Sequence, residues 1–382
     1  MTSLLTRFMS AGLLLAGAIS ATPASQDDDP VYDGKKASVW VDTLNNDSSA
    51  RKRALAIEAL AKLWATKQYK ESIPTIGRAL RLDSSAAVRS QAAIALGGLK
   101  EGEIAKGARE LVDALGAEKE SRVRKEIAIA IGRFPAVAKL AVTPLTATLK
   151  DADPATRLAA AEALALTGSD GKSAAAGLVP LLQDSDKAVR LAAVVALGRV
   201  TPEGASAIAE TMAKMLGTEK DTGMKSELAT SLGLLAEKSP TVVTALAKLL
   251  TEPEDDLRRK TARILGTFGT AAAPAADALL KAAEIDKVKD TRADAVHAFG
   301  SALGPALKTR IKDILMLLKD PEFEVRLAVI EEVGALGTEL KDDTETLKTL
   351  RGRLSDQHAK VREAAAMALR KIEKKAEPKK EP

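Results

Sequence analysis

The chain has no cysteine among its 382 residues. This excludes a disulfide, a thiolate metal site, a cysteine nucleophile and a cysteine for lipid attachment. Aromatic residues make up only 2% of the sequence, which leaves few rings for stacking on nucleic-acid bases. The net charge of +5 is small for this length and is weak support for nucleic acid or an anionic membrane as partner. A nucleic-acid-binding protein is therefore disfavoured.

Residues that commonly carry catalysis are also scarce. The only histidines are His297 and His358, and neither is followed by glutamate. No serine lies in a Gly-x-Ser-x-Gly elbow, and no glycine-rich turn is followed by the Gly-Lys-Ser/Thr of a phosphate loop. The sequence thus predicts no catalytic residue, no cofactor site and no metal site.

What the sequence does contain is one unit repeated along most of its length. The stretch from Asp184 to Gly198 is the clearest copy. A basic residue marks the start of each copy's second helix, with a period of about 34 residues that is typical of helix-pair solenoids. The basic positions are Arg53, Arg89, Arg124, Arg157, Arg190, Lys225, Arg258, Arg292, Arg326 and Arg362.

Two further columns keep a fixed distance from the basic column. An acid lies six residues before each basic residue: Asp47, Asp83, Glu118, Asp151, Asp184, Glu219, Glu252, Asp286, Asp320 and Asp356. A large apolar residue lies seven residues after it: Leu60, Leu96, Ile131, Leu164, Leu197, Leu232, Leu265, Phe299, Val333 and Leu369. Agreement of three columns in ten units makes a chance match untenable.

Each unit is interpreted as helix A, a turn, helix B and a second turn. Helix B carries one apolar stripe at helical period. A glycine follows the large apolar residue in most units, for example Gly198, and two interpretations stay open. The neighbouring helix approaches closely there, or helix B ends there with glycine as its cap. In helix A, Pro144 and Pro180 have helix-like residues on both sides and are predicted to kink or restart the helix.

The pattern Pro-x-Leu in helix A, followed by Asp-x-x-x-x-Val-Arg-x-x-Ala-x-x-Ala-Leu-Gly, resembles HEAT repeats, most closely the HEAT-like repeats named after phycobilisome lyases. The resemblance covers residues 36–375. It implies an all-α fold, a right-handed α-solenoid of about ten two-helix repeats. It also implies a protein-interaction scaffold, because most such proteins serve that role, whereas a minority are bilin lyase subunits or di-iron hydroxylases. The paired His-Glu motifs of the hydroxylases are missing here.

The acid and basic columns predict a structural ladder. An arginine in the first turn of a helix meets the positive end of the macrodipole, so its recurrence needs another reason. We expect each acid to accept hydrogen bonds from the guanidinium of an adjacent unit and from free backbone amides. The residues assigned to the ladder are Asp83, Arg89, Asp151, Arg157, Asp184, Arg190, Asp286, Arg292, Asp320 and Arg326. Lys225 lacks the guanidinium fork and predicts a weaker step.

The segments outside the repeats differ in composition. Residues 1–24 resemble a secretory signal peptide, with one charge at Arg7 and an apolar run of about a dozen residues, too short to span a bilayer. An uncleaved anchor is the alternative, and both predict an exported protein, periplasmic or extracellular. Residues 25–35 are polar and turn-prone and are interpreted as a linker, and 376–382 as a disordered charged tail.

A binding face is predicted on the side of helix B that lies opposite the buried apolar stripe. In such solenoids the B helices normally line the concave side, and positions two, five and nine residues after the column basic residue lie opposite the stripe. The candidate binding residues are Gln91, Ile94, Glu126, Ile129, Arg133, Glu162, Val195, Arg199, Glu227, Lys260, Arg263, Asp294 and His297. Either a protein or extended peptide lies along this face, or the face is solvated and its apolar members pack between repeats.

The sequence therefore predicts an exported, non-catalytic protein-interaction scaffold without a cofactor or metal. A lyase-type enzyme or enzyme subunit is the alternative. The aromatic residues Trp40, Trp64 and Tyr69 gather in the first unit, either as interface anchors or as a cover for the end of the core.

Overall fold

The computed structural model describes residues 29–100, 102–201, 205–235 and 238–373, and this part of the chain is almost entirely helical. Its α-helices are α1 (Ala37–Asn46), α2 (Ala50–Lys67), α3 (Ser72–Leu82), α4 (Ala86–Gly97), α5 (Ala105–Ala117), α6 (Ser121–Gly132), α7 (Pro135–Leu140), α8 (Val142–Thr148), α9 (Pro154–Ala165), α10 (Ala175–Leu178), α11 (Lys187–Val200), α12 (Ser206–Thr218), α13 (Thr222–Leu235), α14 (Pro240–Lys248), α15 (Asp255–Thr267), α16 (Ala276–Ile285), α17 (Lys289–Leu303), α18 (Ile311–Leu315), α19 (Phe323–Ala335), α20 (Thr344–Gly352) and α21 (Ala359–Glu373).

The B helices are all unbroken, with 12 to 18 residues each, and each carries the apolar stripe. They are α2, α4, α6, α9, α11, α13, α15, α17, α19 and α21. Each packs on the B helix before it and the one after it, so the stack is continuous. All ten large apolar side chains of the column seven residues after the basic residue are buried. One core therefore runs through the repeats, as the sequence predicts for an all-α solenoid.

Most A helices are shorter, apart from α5 and α12 with 13 residues each, and several are interrupted by 3₁₀ turns. Helix A of the fourth repeat stops at Leu140 and restarts at Val142, so that Pro144 falls in the first turn of α8. Pro180 opens a 3₁₀ segment over Val179–Gln183. Both prolines therefore restart the helix as predicted. The 3₁₀ segments of the described residues are Gly168–Ala174, Val179–Gln183, Leu249–Thr251, Gly269–Ala275, Gly304–Arg310, Met316–Lys319, Gly337–Leu340 and Arg353–Ser355.

The column glycines mark close contacts between successive B helices. A Cβ placed on Gly97 would lie 2.8 Å from the Cβ of Ala130, and one placed on Gly198 would lie 2.7 Å from the Cβ of Ser231. None of the column glycines has the positive φ of a glycine cap. Of the two interpretations, close approach is therefore correct, and the cap is wrong.

The segment interpreted as a linker is partly structured. Strand β1 (Val31–Tyr32) pairs with β2 (Lys35–Lys36) in an antiparallel hairpin. Asp33 and Gly34 turn between the strands with φ of 50° and 71°, the conformation that type I′ turns require. The linker prediction for residues 25–35 is therefore wrong from residue 31 onward, because an Asp-Gly pair is itself a hairpin signal.

The hairpin and the aromatic cluster close the first repeat. Trp40 donates its Nε1–H to the carbonyl of Tyr32 at 3.0 Å, and the Lys35 ammonium lies 4.4 Å from the Trp40 ring centroid. Trp40 and Trp64 are buried and Tyr69 is half-buried. The cluster thus covers the end of the core rather than presenting interface anchors. The segments 1–24 and 376–382 lie outside the described residues.

A helix that crosses a bilayer has to be both long and apolar. Within the described residues, no helix combines the length and the apolar character that crossing a membrane demands.

Candidate protein-binding face and the ladder that supports it

The acid and basic columns meet between successive repeats. Arg157, at the start of α9, donates from Nε and Nη2 to the two carboxylate oxygens of Asp184 at 2.7 and 2.8 Å. Its Nη1 donates to the carbonyl of Asp151, six residues earlier in its own repeat, at 2.8 Å. Asp184 also accepts the backbone N–H of Asp186 at 2.9 Å, in the turn before α11. One guanidinium thus ties together two turns of adjacent repeats.

The same contact recurs along the described residues. In every case the basic residue pairs with the acid of the next repeat. The pairs are Arg53–Asp83, Arg89–Glu118, Arg124–Asp151, Arg157–Asp184, Lys225–Glu252, Arg258–Asp286, Arg292–Asp320 and Arg326–Asp356. We call this series the ladder. It fixes the position of each B helix against the next, and thereby the shape of the B-helix face.

One step of the ladder lacks its ion pair. Arg190 donates to the carbonyls of Asp184 and Ser185 at 2.7 and 3.1 Å, and no ion pair joins it to Glu219 in the described structure. The Glu219 carboxylate accepts the backbone N–H groups of Lys220 and Asp221, as the paired Glu118 does from Lys119 and Glu120. The assignment of Arg190 to an inter-repeat pair is therefore wrong. Repeats five and six are joined by an exposed pair, Lys187–Asp221, at 2.7 Å.

The step after this gap is made by a lysine, and its replacement by arginine gives a first prediction. Lys225 makes a single hydrogen bond to Glu252 at 2.7 Å. In Lys225→Arg, a second N–H reaches Glu252, and Nη1 can reach the carbonyl of Glu219, as it does in the other repeats. We expect a gain in the free energy of unfolding of about 1 kcal/mol, measured by urea denaturation. Lys225→Gln is the control and should lose stability; equal stability of these two variants would contradict the prediction.

Protonation of the ladder acids gives a second prediction. The hydrogen bond from Arg157 lowers the pKa of Asp184, and that from Arg326 lowers the pKa of Asp356. A lowered folded-state pKa stabilises the fold above the unfolded-state value of about 3.9, and this stabilisation is lost as the pH falls through the folded-state pKa. Above pH 5 the ladder acids stay ionised, so we expect them to have little effect on how the melting temperature varies with pH. Below pH 4 they take up protons, and we expect the melting temperature to fall steeply.

The control for this pH dependence is Asp184→Asn, which cannot titrate at this position. The variant should be less stable than the unmodified protein at pH 7, and the two melting temperatures should converge as the pH falls below the unfolded-state pKa of about 3.9 and Asp184 takes up its proton. A difference in melting temperature that stays constant down to pH 2 would show that the charge of Asp184 does not contribute.

The structure leaves all thirteen candidate binding residues at least partly exposed, but their surroundings differ. In the C-terminal half, several contact the neighbouring repeat. Lys260 donates to the Ser226 hydroxyl at 2.6 Å, Asp294 accepts from Arg259 at 2.8 Å, and His297 contacts Glu332 at 2.8 Å. The hydrogen bond with Glu332 raises the pKa of His297. These side chains are largely engaged in inter-repeat contacts.

The remaining candidates are placed as follows. Gln91 donates to Glu58 at 3.2 Å, and Glu126 lies 3.2 Å from its neighbour Lys125. Ile94 is 49% exposed on α4. Glu227 is half-buried on α13, and Arg263 is exposed on α15. None of these five residues lines the groove that α6, α9 and α11 form.

Five candidates of the N-terminal half line one groove. Ile129, Arg133, Glu162, Val195 and Arg199 surround an open cavity of about 520 Å³ that crosses α6, α9 and α11. Its floor is formed by small and apolar side chains that the sequence analysis missed: Ala128, Leu158, Ala159, Ala163, Leu166, Leu191 and Ala192. For Leu158 and Leu191 a signal existed in the sequence. The residue directly after the column basic residue is leucine only in repeats four, five and nine.

The groove is apolar at its base and charged at its rim. Ile129 is 40% exposed and Leu166 39%, so both present apolar surface to the groove. Arg133 donates to the carbonyl of Gly97 at 3.2 Å, so its position is fixed. Within the described residues, neither Arg133 nor Arg199 forms an ion pair. An apolar base with a few placed charged groups is suited to binding a polypeptide.

Stacked two-helix repeats around one continuous core define the α-solenoid class. The sequence profile described as HEAT repeats matches residues 37–139, 142–233 and 311–380, and the chain belongs to the HEAT-repeat family. Residues 234–310 lie between the matched ranges, and the described part of them, 234–235 and 238–310, continues the same helix pairs. The family carries the general inference that this solenoid is suited to protein binding; the phycobilisome-lyase subtype stays a prediction.

Similar structures support the same fold. A crystal structure of an engineered protein is 20% identical, with a TM-score of 0.63 over 88% of this chain and 98% of that one. A crystal structure of importin beta is 17% identical, with a TM-score of 0.55 over 88% of this chain and 53% of that one. The chain thus spans about half of importin beta. No curated protein matches the sequence.

Proposed function

We propose that the protein is an exported, non-catalytic interaction scaffold that binds a protein or an extended peptide along its B-helix face. The observation that carries the proposal is the groove across α6, α9 and α11, where exposed isoleucine and leucine side chains lie between arginines without acidic partners. Exposed apolar surface of this kind on a soluble fold marks an interaction site. Export is supported by the signal-peptide pattern of residues 1–24 alone.

The rest of the molecule supports a rigid scaffold. The ladder pairs Arg124–Asp151 and Arg157–Asp184 hold α6, α9 and α11 in fixed positions, so the groove is formed before a partner arrives. Binding to a preformed surface avoids the cost of ordering it. The ladder step without an ion pair, from Arg190 in α11 to Glu219 before α13, joins the last helix of the groove to the following repeat. It therefore lies at the edge of the groove and not between the helices that form it.

The proposal is tested by site-specific photo-crosslinking in the native cell envelope. A photoreactive residue at Ile129 should form crosslinks to a polypeptide, which mass spectrometry identifies. The matched control is Ala147, an exposed residue of α8 in the adjacent repeat but on an A helix. Crosslinks at 147 and not at 129 would contradict binding along the B-helix face.

The same purified material tests export and the enzymatic alternative. Loss of residues 1–24 from the mature protein, seen as an N-terminal peptide starting at Ser25, supports export. A bound pigment, bound iron or turnover in the purified protein would favour the lyase-type alternative over the scaffold.

A further inference from the structure

The groove carries charges and apolar groups in an order that indicates the chemistry of its occupant. Nine residues after the column arginine, successive repeats place Arg133, Leu166 and Arg199 in one row at the C-terminal ends of α6, α9 and α11. Leu166 is the exposed apolar member at the centre, with an arginine on either side. A ligand that lies along this row meets a positive charge, an apolar surface and a second positive charge.

A second row has the opposite order, with apolar side chains at its ends and a negative charge at its centre. Five residues after the column arginine, the groove places Ile129, Glu162 and Val195. Glu162 is exposed beside Leu166 and has no ion pair within the described part of the chain. Its carboxylate disfavours an acidic group at the centre of the ligand, whereas the arginines favour acidic groups at the ends.

The spacing of the helices sets the spacing of the ligand's side chains. Packed helices lie roughly 10 Å apart, so Arg133, Leu166 and Arg199 recur at about that interval along the row. A polyproline II helix advances about 3.1 Å per residue with three residues per turn, so every third side chain points the same way at about 9 Å intervals. A β-strand repeats its side chains every two residues and does not match.

We propose that this groove binds an extended polypeptide segment in polyproline II conformation, with the pattern acid-x-x-apolar-x-x-acid. The two carboxylates pair with Arg133 and Arg199, and the central apolar side chain packs on Leu166 between Ile129 and Val195. The inference rests on the proposed function, and it adds the sequence class of the partner. It needs no rearrangement of the solenoid, because every group is already on the surface.

The experiment uses the full mature chain and a synthetic peptide with Glu-Pro-Pro-Leu-Pro-Pro-Glu at its centre, followed by fluorescence anisotropy. We expect saturable binding that weakens as salt is raised, since the ends are held by charge. Three peptides are controls: lysine in place of both glutamates, serine in place of leucine, and Glu-Pro-Leu-Pro-Glu with the shorter spacing. Each control should bind at least tenfold more weakly.

The protein variants locate the site. The double variant Arg133→Glu, Arg199→Glu should weaken peptide binding at least tenfold. Arg370→Glu reverses an exposed arginine of α21, a B helix far along the chain from the groove, and should leave the affinity within twofold. All three positions are on the surface, so circular dichroism should show unchanged melting; if the double variant melts early, Arg133→Gln, Arg199→Gln with the same readout replaces it.

The outcomes separate this inference from the proposed function. If envelope crosslinks form at Ile129 but the acid-ended peptide binds no better than its lysine control, the scaffold stands and the inference is overturned. If both fail, the scaffold fails as well. Sedimentation that shows a dimer dissolved by the double variant would assign the groove to a second copy of this chain and would also overturn the inference.

Discussion

Replacement of Arg258 by alanine is expected to lower the free energy of unfolding by about 3 kcal/mol, because it leaves a buried carboxylate without its partner. The Arg258 and Asp286 side chains are only 7% and 3% exposed, and two hydrogen bonds of 2.6 and 3.0 Å join them. The Arg258 Nη1 also donates to the carbonyls of Glu252 and Pro253. Urea denaturation followed by circular dichroism measures the loss.

Arg190→Ala is the matched control for this prediction. Arg190 occupies the same column position and bonds the same kind of carbonyls, but it has no carboxylate partner in the described structure. Its removal should therefore cost only about 1 kcal/mol, the value of the carbonyl contacts. Equal losses in the two variants would show that the ion pair between repeats adds nothing to stability and that the ladder acts only through the carbonyl contacts.

The repetition of the sequence is what made most of the fold predictable. A column that recurs ten times averages out local exceptions, so the apolar stripe, the order of helices A and B and the general sense of the ladder follow from the sequence. The effect of Pro144 and Pro180 on helix A was equally predictable, since the loss of an N–H has a local consequence that does not depend on tertiary packing.

Single departures from the repeat were not predictable in this way. Arg89 pairs with Glu118, whereas Arg190, with the same residue types in its columns, does not pair with Glu219. Both glutamates accept the backbone N–H groups of the two residues that follow them, so neither the residue types nor these turn contacts distinguish the two steps. The hairpin before α1 had a local signal in Asp33-Gly34, but the surrounding acidic residues suggested a solvated linker.

The candidate site was likewise predictable only in part. Offsets from the column arginine placed the thirteen candidate residues on a partly exposed face, because helical geometry alone fixes direction. Which of them surround a groove depended on the small side chains Ala159 and Ala163 on α9, on Leu166 directly after it, and on the leucines that follow the column arginines. A groove is a property of three adjacent helices, so a column taken one position at a time does not reveal it.

Replacement of Gly198 by alanine is expected to destabilise the solenoid by about 2 kcal/mol, although alanine is the better helix former by about 1 kcal/mol. The new Cβ would lie 2.7 Å from the Cβ and 2.9 Å from the Cα of Ser231 on the next B helix. The Cα belongs to the backbone, so the two helices must separate. Ser231 also donates to the carbonyl of Val194 at 3.0 Å, and separation stretches this contact.

Gly266→Ala supplies the comparison, because Gly266 holds the same column position in α15 but has more space. Its Cβ would lie 3.4 Å from the Cβ and 3.5 Å from the Cα of Ala298, close to ordinary van der Waals contact. Alanine there should be neutral or should stabilise by up to about 1 kcal/mol, so the two variants differ in sign when melted in parallel. The opposite ranking would mean that helix propensity, and not the approach of neighbouring helices, decides where this chain uses glycine.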